Sequence, residues 1–359
     1  MRILFGFAGG SGHVQPLLPL ARAAAARGHA VAFTGRPGGL PAGFEGFPAG
    51  TDAPNERRPL LALDRERETR EFRDGFGGWI ARERAATTRE VAARWRADLV
   101  VCDDADFGSM IAAESLGLPH ASVVVLAAGT FGRPPGLAAV LDETRAVYGL
   151  PADPSLAMLD RHLVISPAPP TFRPAAQLMR PFPPVPPAPT SPPTVYFTLG
   201  TIFNTESGDL FARLLAGFAT LPVSLVVTVG PAIDPAELGP QPANVRVERY
   251  VPQASLLPRC SAVVAHAGSG TVLGALAHGL PMVLVPMGAD QPDNADRCAE
   301  LGVAVVLDAV TATPADAAAA LRTVLDDPSY AAAAEALRRE VAAMPDPAEV
   351  VAHLETLGA

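Results

Sequence analysis

The sequence predicts an α/β protein with two Rossmann-like domains, and three observations lead to that class. Short apolar runs typical of buried strands alternate with helical periods, and strands that alternate with helices form parallel sheets. The proline-rich stretch 166–193 divides the chain into two such runs, because prolines remove backbone donors and keep a linker extended. Finally, 359 residues are enough for about two domains, each with its own core.

The first run predicts a parallel sheet with helices between its strands. We expect strands at 2–7, 29–34, 99–102, 120–126 and 162–165, the last closing the sheet, and helices at 14–27, 64–71, 79–95, 107–116 and from 135 onward. The helix at 64–71 is a dense charge run, typical of a solvated surface helix or a lid. Regular structure is otherwise lost between 36 and 78, where Gly and Pro are frequent.

The second run predicts a sheet organised around the stretch 261–294. We expect strands at 194–199, 223–229, 245–248, 262–265 and 282–285, with helices at 209–219 and 272–278. The domains are therefore predicted as 1–165, a linker at 166–193, a second domain at 194–345 and a C-terminal helix at 346–359 that packs back on the first domain.

Composition excludes several classes of function. A net charge of −9 provides no basic stripe for nucleic acid. The chain has 28 arginines and no lysine, so sites that need a lysine, such as the P-loop, a pyridoxal phosphate Schiff base or a kinase site, are impossible. No apolar run reaches the roughly 18 residues of a membrane span, and the apolar N-terminal run is too short for a signal peptide, which predicts a cytoplasmic protein. The three cysteines form neither a disulfide framework nor a zinc pattern.

The turn 266–271 is predicted to bind an anion. Gly268 and Gly270 let a ligand approach the backbone, and the N-terminus of the following helix favours negative charge. The turn also supplies donors from His266, Ser269 and Thr271. The loop after the next strand is predicted to carry Asp290, Gln291 and Asn294, whose groups are suited to hydroxyls. Together they predict a ligand with a phosphate end and a polyhydroxyl end.

The loop after the first strand predicts a general base. Its G-x-G lacks the third glycine of a dinucleotide site, where Gln15 stands, and no acidic residue ends the second strand. What it presents is His13 at the head of a helix, where the dipole favours the neutral imidazole. Asp103, at the end of a strand in the same sheet, is placed to fix its tautomer, with Asp104 in reserve. Asp103 as an N-cap for the next helix is the alternative. The D-x-D at 104–106 is rejected as a metal site because it lies in the half without the phosphate loop.

These segments resemble the inverting glycosyltransferases of the GT-B fold that decorate polyketide and enediyne aglycones. The resemblance covers essentially the whole chain and is most specific in LFGFAGGSGHVQPLLPLARAAAARGH, DLVVCD, VYFTLGT, NVRVERYVPQASLLP and VVAHAGSGTVLGALAHGLPMVLVPMGADQPDNA. Two departures are Ala267, where the family has HGG, and Tyr250, where relatives often have Trp. The chain is also short for the family, in its N-terminal half.

The resemblance implies two domains facing across a cleft and a role for each site residue. It implies a nucleoside diphosphate sugar as donor, thymidine diphosphate with uridine diphosphate as the alternative, and a small hydrophobic aglycone as acceptor, with neither metal nor cofactor. His13 would deprotonate the acceptor hydroxyl with Asp103 as its partner, and the diphosphate would leave with inversion at the anomeric carbon. The implied donor-binding residues are Thr201, Val251, Gln253, His266, Gly268, Ser269, Gly270, Thr271, Asp290 and Gln291. Those expected to line the acceptor pocket are Gly12, Trp79 and Phe131.

Three other functions remain as alternatives. A nucleotide-sugar 2-epimerase of the same fold would need no acceptor. A non-catalytic auxiliary protein would keep the cleft but only stabilise a partner, and an NADP oxidoreductase would place Arg36 on the phosphate. A homodimer is left open.

Overall fold

A computed structural model of the chain describes residues 1–51, 56–129 and 131–358, and it divides into two compact units. The first consists of Met1–Ala53, Glu66–Pro181 and Met344–Ala359, and the second of Pro54–Arg65 and Phe182–Ala343. The irregular stretch predicted between 36 and 78 includes 52–55, which lie outside the described residues.

The described residues form thirteen strands, β1 to β13. In chain order they are Arg2–Gly6, Ala30–Gly35, Glu45–Pro48, Leu99–Asp103, His120–Val123, Leu163–Ser166, Gln177–Leu178, Thr194–Thr198, Ser224–Thr228, Val245–Glu248, Cys260–Ala265, Met282–Leu284 and Ala304–Val306.

Thirteen α-helices, α1 to α13, lie in the same described parts. They are Ser11–Val14, Leu18–Ala26, Arg65–Phe72, Ala81–Trp95, Phe107–Ser115, Leu137–Val147, Leu210–Phe218, Gln253–Leu256, Ser269–Ala277, Gln291–Glu300, Pro314–Asp326, Pro328–Ala343 and Pro347–Leu357.

The first unit is built on a parallel sheet with strand order β3-β2-β1-β4-β5-β6-β7. Its core is formed by buried β1, β2 and β4 side chains and by α2, and α13 packs against α2. The prediction that the C-terminal helix returns to the N-terminal domain is confirmed.

Two strands of this sheet were not predicted. β3 is exposed along most of its length and ends in a proline, so it lacks the apolar run of a buried strand. β7 has only two residues inside the proline-rich stretch, and its pairing with β6 makes the prediction that 162–165 is the last strand wrong.

The predicted helix 14–27 is divided into three pieces. A 3₁₀ turn, Gln15–Leu17, separates α1 from α2. Pro16 and Pro19 lack the N–H that an uninterrupted α-helical ladder needs. Gly28, at φ +86°, follows the end of α2.

The second unit is built on a parallel sheet with strand order β10-β9-β8-β11-β12-β13. Its core joins the apolar faces of β8, β9 and β11 to α7 and α11. Two parallel α/β sheets confirm the predicted fold class. Over the described residues, no helix is long and apolar enough to cross a membrane.

In each sheet the strand order reverses between two central neighbours. In the first unit these are β1 and β4, and in the second β8 and β11. Loops that leave the carboxyl ends of such a pair run in opposite directions and open a crevice, which is where open α/β sheets bind ligands. His13 follows β1 and Asp103 is the last residue of β4, whereas Thr201 follows β8 and His266 follows β11.

Candidate active site

In the first unit, His13 and Asp103 lie together as predicted. His13 is in α1, after the loop that leaves β1, and its Nδ1 lies 3.2 Å from Oδ1 of Asp103 at the end of β4. The His13 side chain is 18% exposed, whereas the Asp103 carboxylate is fully buried. The imidazole is therefore accessible to a substrate, while its acidic neighbour is shielded from water.

The Asp103 carboxylate is held by two backbone donors. The N–H of Ala8 donates to Oδ2 and the N–H of Ala105 to Oδ1, each at 2.8 Å. The first of these bonds ties the loop after β1 to the end of β4. Because both carboxylate oxygens are held by hydrogen bonds, the carboxylate has a fixed position from which it can orient the His13 ring.

The N-cap role considered for Asp103 belongs to Asp106 instead. Asp106 accepts the N–H of Ser109 at the start of α5 and pairs with the buried Arg84, whose Nη2 lies 2.9 Å from Oδ2. Asp104, the reserve partner, accepts the N–H of Val125 at 2.8 Å. Burial raises the pKa of Asp104 to about 6, although that hydrogen bond lowers it.

Gly9 leaves the space that the His13 ring occupies. A Cβ atom at Gly9 would lie 2.1 Å from His13 Cδ2 and 2.3 Å from Nε2, far inside van der Waals contact. Glycine is therefore required at this position by the ring, and not by an unusual backbone angle.

The three predicted acceptor residues differ in exposure. Gly12 is exposed, and a Cβ there would meet no described atom within 4 Å. The Trp79 side chain is 59% exposed. Phe131 is half-buried and packs against Phe72 with ring centroids 4.8 Å apart.

In the second unit, His266 and two glycines form the centre of the predicted diphosphate site. Burial lowers the pKa of His266 to about 4, so the ring is neutral at pH 7. A Cβ at Gly200 would lie 2.6 Å from its Nε2, and one at Gly268 would lie 2.4 Å away. Both glycines therefore keep Nε2 clear, and a neutral ring with its proton there can donate to an anion.

The turn before α9 is strained at one residue. Ala267 has φ +66°, a left-handed conformation that costs an L-residue about 1–2 kcal/mol. α9 begins at Ser269, earlier than predicted, so Ser269, Gly270 and Thr271 form its first turn, where backbone N–H groups lack helical partners. Gly270 is exposed, with no described atom within 4 Å of a Cβ placed there. The first turn has room for a ligand.

Asp290 and Gln291 stand at the start of α10, not in a loop as predicted. Ser269 Oγ donates to Asp290 Oδ2 at 2.6 Å, and Asn294 Nδ2 donates to the same oxygen at 2.8 Å. Gln291 is buried, and its Oε1 accepts the N–H of Met287 at 2.8 Å. The bond from Ser269 to Asp290 joins the predicted diphosphate-binding turn to the predicted sugar-binding group.

The remaining predicted donor residues differ in exposure. Thr201 is exposed in the loop after β8, and Val251 is half-buried. Gln253, at the start of α8, donates to Thr271 Oγ1 at 3.3 Å. Tyr250 is 72% exposed.

Comparison with known proteins identifies the family. The family described as erythromycin biosynthesis protein CIII-like, C-terminal domain, matches residues 212–357. Tylactone mycaminosyltransferase of Streptomyces fradiae is 32% identical over 308 residues, which are 75% of this chain and 67% of that protein. The chain belongs to the natural-product glycosyltransferases of GT-B type. The glycosyltransferase VinC, solved in complex with dTDP, matches over 100% of this chain and 99% of its own, with a TM-score of 0.75 and 28% identity.

Some matches to this glycosyltransferase are shorter. 4'-Demethylrebeccamycin synthase of Lentzea aerocolonigenes is 37% identical over 179 residues, 50% of this chain and 40% of that protein.

The sequence did not reveal Phe76, which touches the predicted base of this glycosyltransferase. Its ring stacks on His13 with centroids 5.3 Å apart and an interplanar angle of 8°. Phe76 lies in Arg73–Ile80, a π-helical segment with three glycines. Glycines normally indicate irregular structure, so the sequence did not predict a helix here. The available signal was Phe76, an aromatic residue with a glycine on each side.

Proposed function

We propose that this glycosyltransferase transfers a deoxysugar from a thymidine diphosphate sugar to a hydroxyl of a hydrophobic natural-product aglycone, with inversion. The observation that carries the proposal is the pairing of a partly exposed His13 with a buried, doubly hydrogen-bonded Asp103 at the strand-order reversal of the first sheet. A base of this kind serves a reaction in which an acceptor loses a proton.

His13 acts as the general base in this proposal. Its Nε2 takes the proton of the acceptor hydroxyl as the oxygen attacks the anomeric carbon. The Asp103 carboxylate, 3.2 Å from Nδ1, stabilises the imidazolium that forms. Attack from the face opposite the leaving diphosphate inverts the anomeric configuration.

The second unit holds the donor in this proposal. The neutral His266 and the first turn of α9 supply N–H and hydroxyl donors to the diphosphate, whose negative charge grows as the glycosidic bond breaks. Asp290 accepts from sugar hydroxyls while Ser269 and Asn294 hold it in place. The choice of thymidine diphosphate is supported by the dTDP complex of VinC, and that of a natural-product acceptor by the tylactone transferase.

The test measures nucleotide release and product stereochemistry. The full chain is incubated with α-configured thymidine diphosphate deoxysugars and a panel of aglycones, and the anomeric coupling of the product is read by NMR. We expect release of thymidine diphosphate only when an aglycone is present, and a β-linked product. Nucleotide release without an aglycone would support the 2-epimerase, and an α-linked product would contradict in-line displacement.

A further inference from the structure

The His13 ring has close neighbours on other sides besides the one that faces Asp103. Gly9 lies against the Cδ2–Nε2 edge, and the Phe76 ring covers a face in a nearly parallel stack. The three contacts come from the loop after β1, from β4 and from the π-helical segment. Three separate segments therefore constrain the orientation of the His13 ring.

Phe76 is itself held firmly. Its ring stacks on Phe72 at 5.1 Å and 25°, and Phe72 contacts Phe107 edge-on at 6.0 Å. Gly77, next to Phe76, packs so closely on α6 that a Cβ there would lie 2.5 Å from Leu137 Cδ1. The π-helical segment therefore packs directly against α6, and this contact fixes the position of Phe76. A half-buried ring at the edge of an apolar cluster, backed by Phe72, is a stable support for a neighbouring ring.

We propose that Phe76 is a positioning residue for His13, holding the imidazole in its reactive orientation and stabilising the imidazolium that proton transfer creates. This rests on the proposed role of His13 as base. A cation within about 6 Å of an aromatic centroid is attracted to the ring face, and the observed separation is 5.3 Å. The attraction is absent for the neutral ring, so it favours proton uptake during the reaction.

The contribution of the Phe76 ring to the protonation of His13 can be measured because the charged groups around His13 are separate from Phe76. Asp103 faces Nδ1, and Asp104 stands beside it, 3.9 Å from Arg173. On the π-helical segment, Arg73 and Asp74 hydrogen-bond each other at 2.7 Å. A change confined to Phe76 alters none of these charges, so its effect on His13 is that of the ring.

The test compares Phe76→Leu with Phe76→Tyr. Leucine keeps an apolar side chain but removes the ring face, whereas tyrosine keeps the face. The pKa of His13 is measured in the full chain by NMR titration of ¹⁵N-labelled histidines, with His13→Gln identifying the signal. Turnover and donor KM are measured across pH. Phe44→Leu is the control, because Phe44 is also half-buried and its ring packs at a tilted angle against Phe33, not against His13.

We expect Phe76→Leu to lower the pKa of His13 by about half a unit, the size of a cation–ring attraction at a partly exposed site. Turnover should fall by roughly 10-fold with donor KM within about twofold, because the base is misplaced while the donor site is untouched. Phe76→Tyr and Phe44→Leu should remain close to wild type.

Two outcomes would overturn the inference: a wild-type His13 pKa and turnover in Phe76→Leu, or a Phe76→Tyr variant as impaired as Phe76→Leu. If the leucine variant does not fold, Phe76→Met replaces it with the same expectations, since methionine also fills apolar space. Full activity in His13→Gln would instead refute the proposed function, and the titration separates the two failures because it does not depend on activity.

Discussion

A single methyl group at Gly9 tests whether the His13 ring must stay where it is. In Gly9→Ala the new Cβ would lie 2.1, 2.3 and 2.6 Å from Cδ2, Nε2 and Cγ of His13. Carbon atoms in contact are about 3.5–4.0 Å apart, so the ring must move by about 1.4 Å or more. Phe76 covers one face and Asp103 lies at Nδ1, which leaves no nearby position that keeps both contacts.

The displacement sets the expected loss of rate. A misplacement of about 1 Å in a catalytic group costs about 10²-fold, so kcat/KM for transfer should fall by about that factor. The affinity for thymidine diphosphate should not change, because Gly9 belongs to the first unit and the proposed diphosphate site to the second.

The assay follows product formation chromatographically and nucleotide affinity by calorimetry. Gly78→Ala is the matched control: it adds the same methyl to the first unit, and its Cβ would meet Val140 at an ordinary 3.8 Å. We expect this control to keep transfer near the wild-type rate. A folded Gly9→Ala protein with a kcat/KM within threefold of wild type would refute the reasoning.

Two further predictions concern Asp104 and Gly268. The pKa of Asp104 is raised to about 6, so the folded state binds its proton more tightly than the unfolded state and the free energy of unfolding falls as pH rises through about 4 to 6. Asp104→Asn should therefore be more stable than wild type by at most about 3 kcal/mol at pH 8 and by less than about 1 kcal/mol at pH 4.5. Urea unfolding at the two pH values checks this expectation. An equal stability difference at both pH values would count against it. Gly268→Ala places a Cβ 2.4 Å from His266 Nε2 and should weaken thymidine diphosphate binding roughly 10-fold by calorimetry, whereas unchanged affinity would remove His266 from the diphosphate site.

The sequence was sufficient to predict the two sheets because their central strands are continuous apolar runs. β1, β4 and β11 are almost wholly buried, which produces the pattern that was read as strands. The edge strands β3 and β7 carry no such signal, since β3 is exposed and β7 is only two residues long.

The contact of His13 with Asp103 was predictable for a topological reason. His13 follows the carboxyl end of β1 and Asp103 is the last residue of β4, and the carboxyl ends of parallel strands meet at one edge of the sheet. The sequence does not state which strands are neighbours, so Asp104 remained an alternative carboxylate partner for His13. It also gave no indication that Asp106 would cap α5 and leave Asp103 available.

Contacts made by side chains from distant segments could not be predicted. The stack of Phe76 on His13 joins residues that are 63 positions apart in the sequence. It also depends on a π-helical segment whose glycines indicate irregular structure. Likewise, the bond from Ser269 to Asp290 depends on α10 beginning beside the turn before α9, and residue type alone does not fix that geometry.

The central claim is that His13 serves the chemistry and not the binding of the donor. It is tested most directly by measuring, on one preparation of His13→Ala, both the single-turnover rate of transfer and the dissociation constant for thymidine diphosphate. Loss of a general base predicts a rate lower by roughly 10² to 10⁴-fold with an unchanged dissociation constant. A wild-type rate would contradict it. A loss of rate accompanied by an equal loss of nucleotide affinity would contradict it as well.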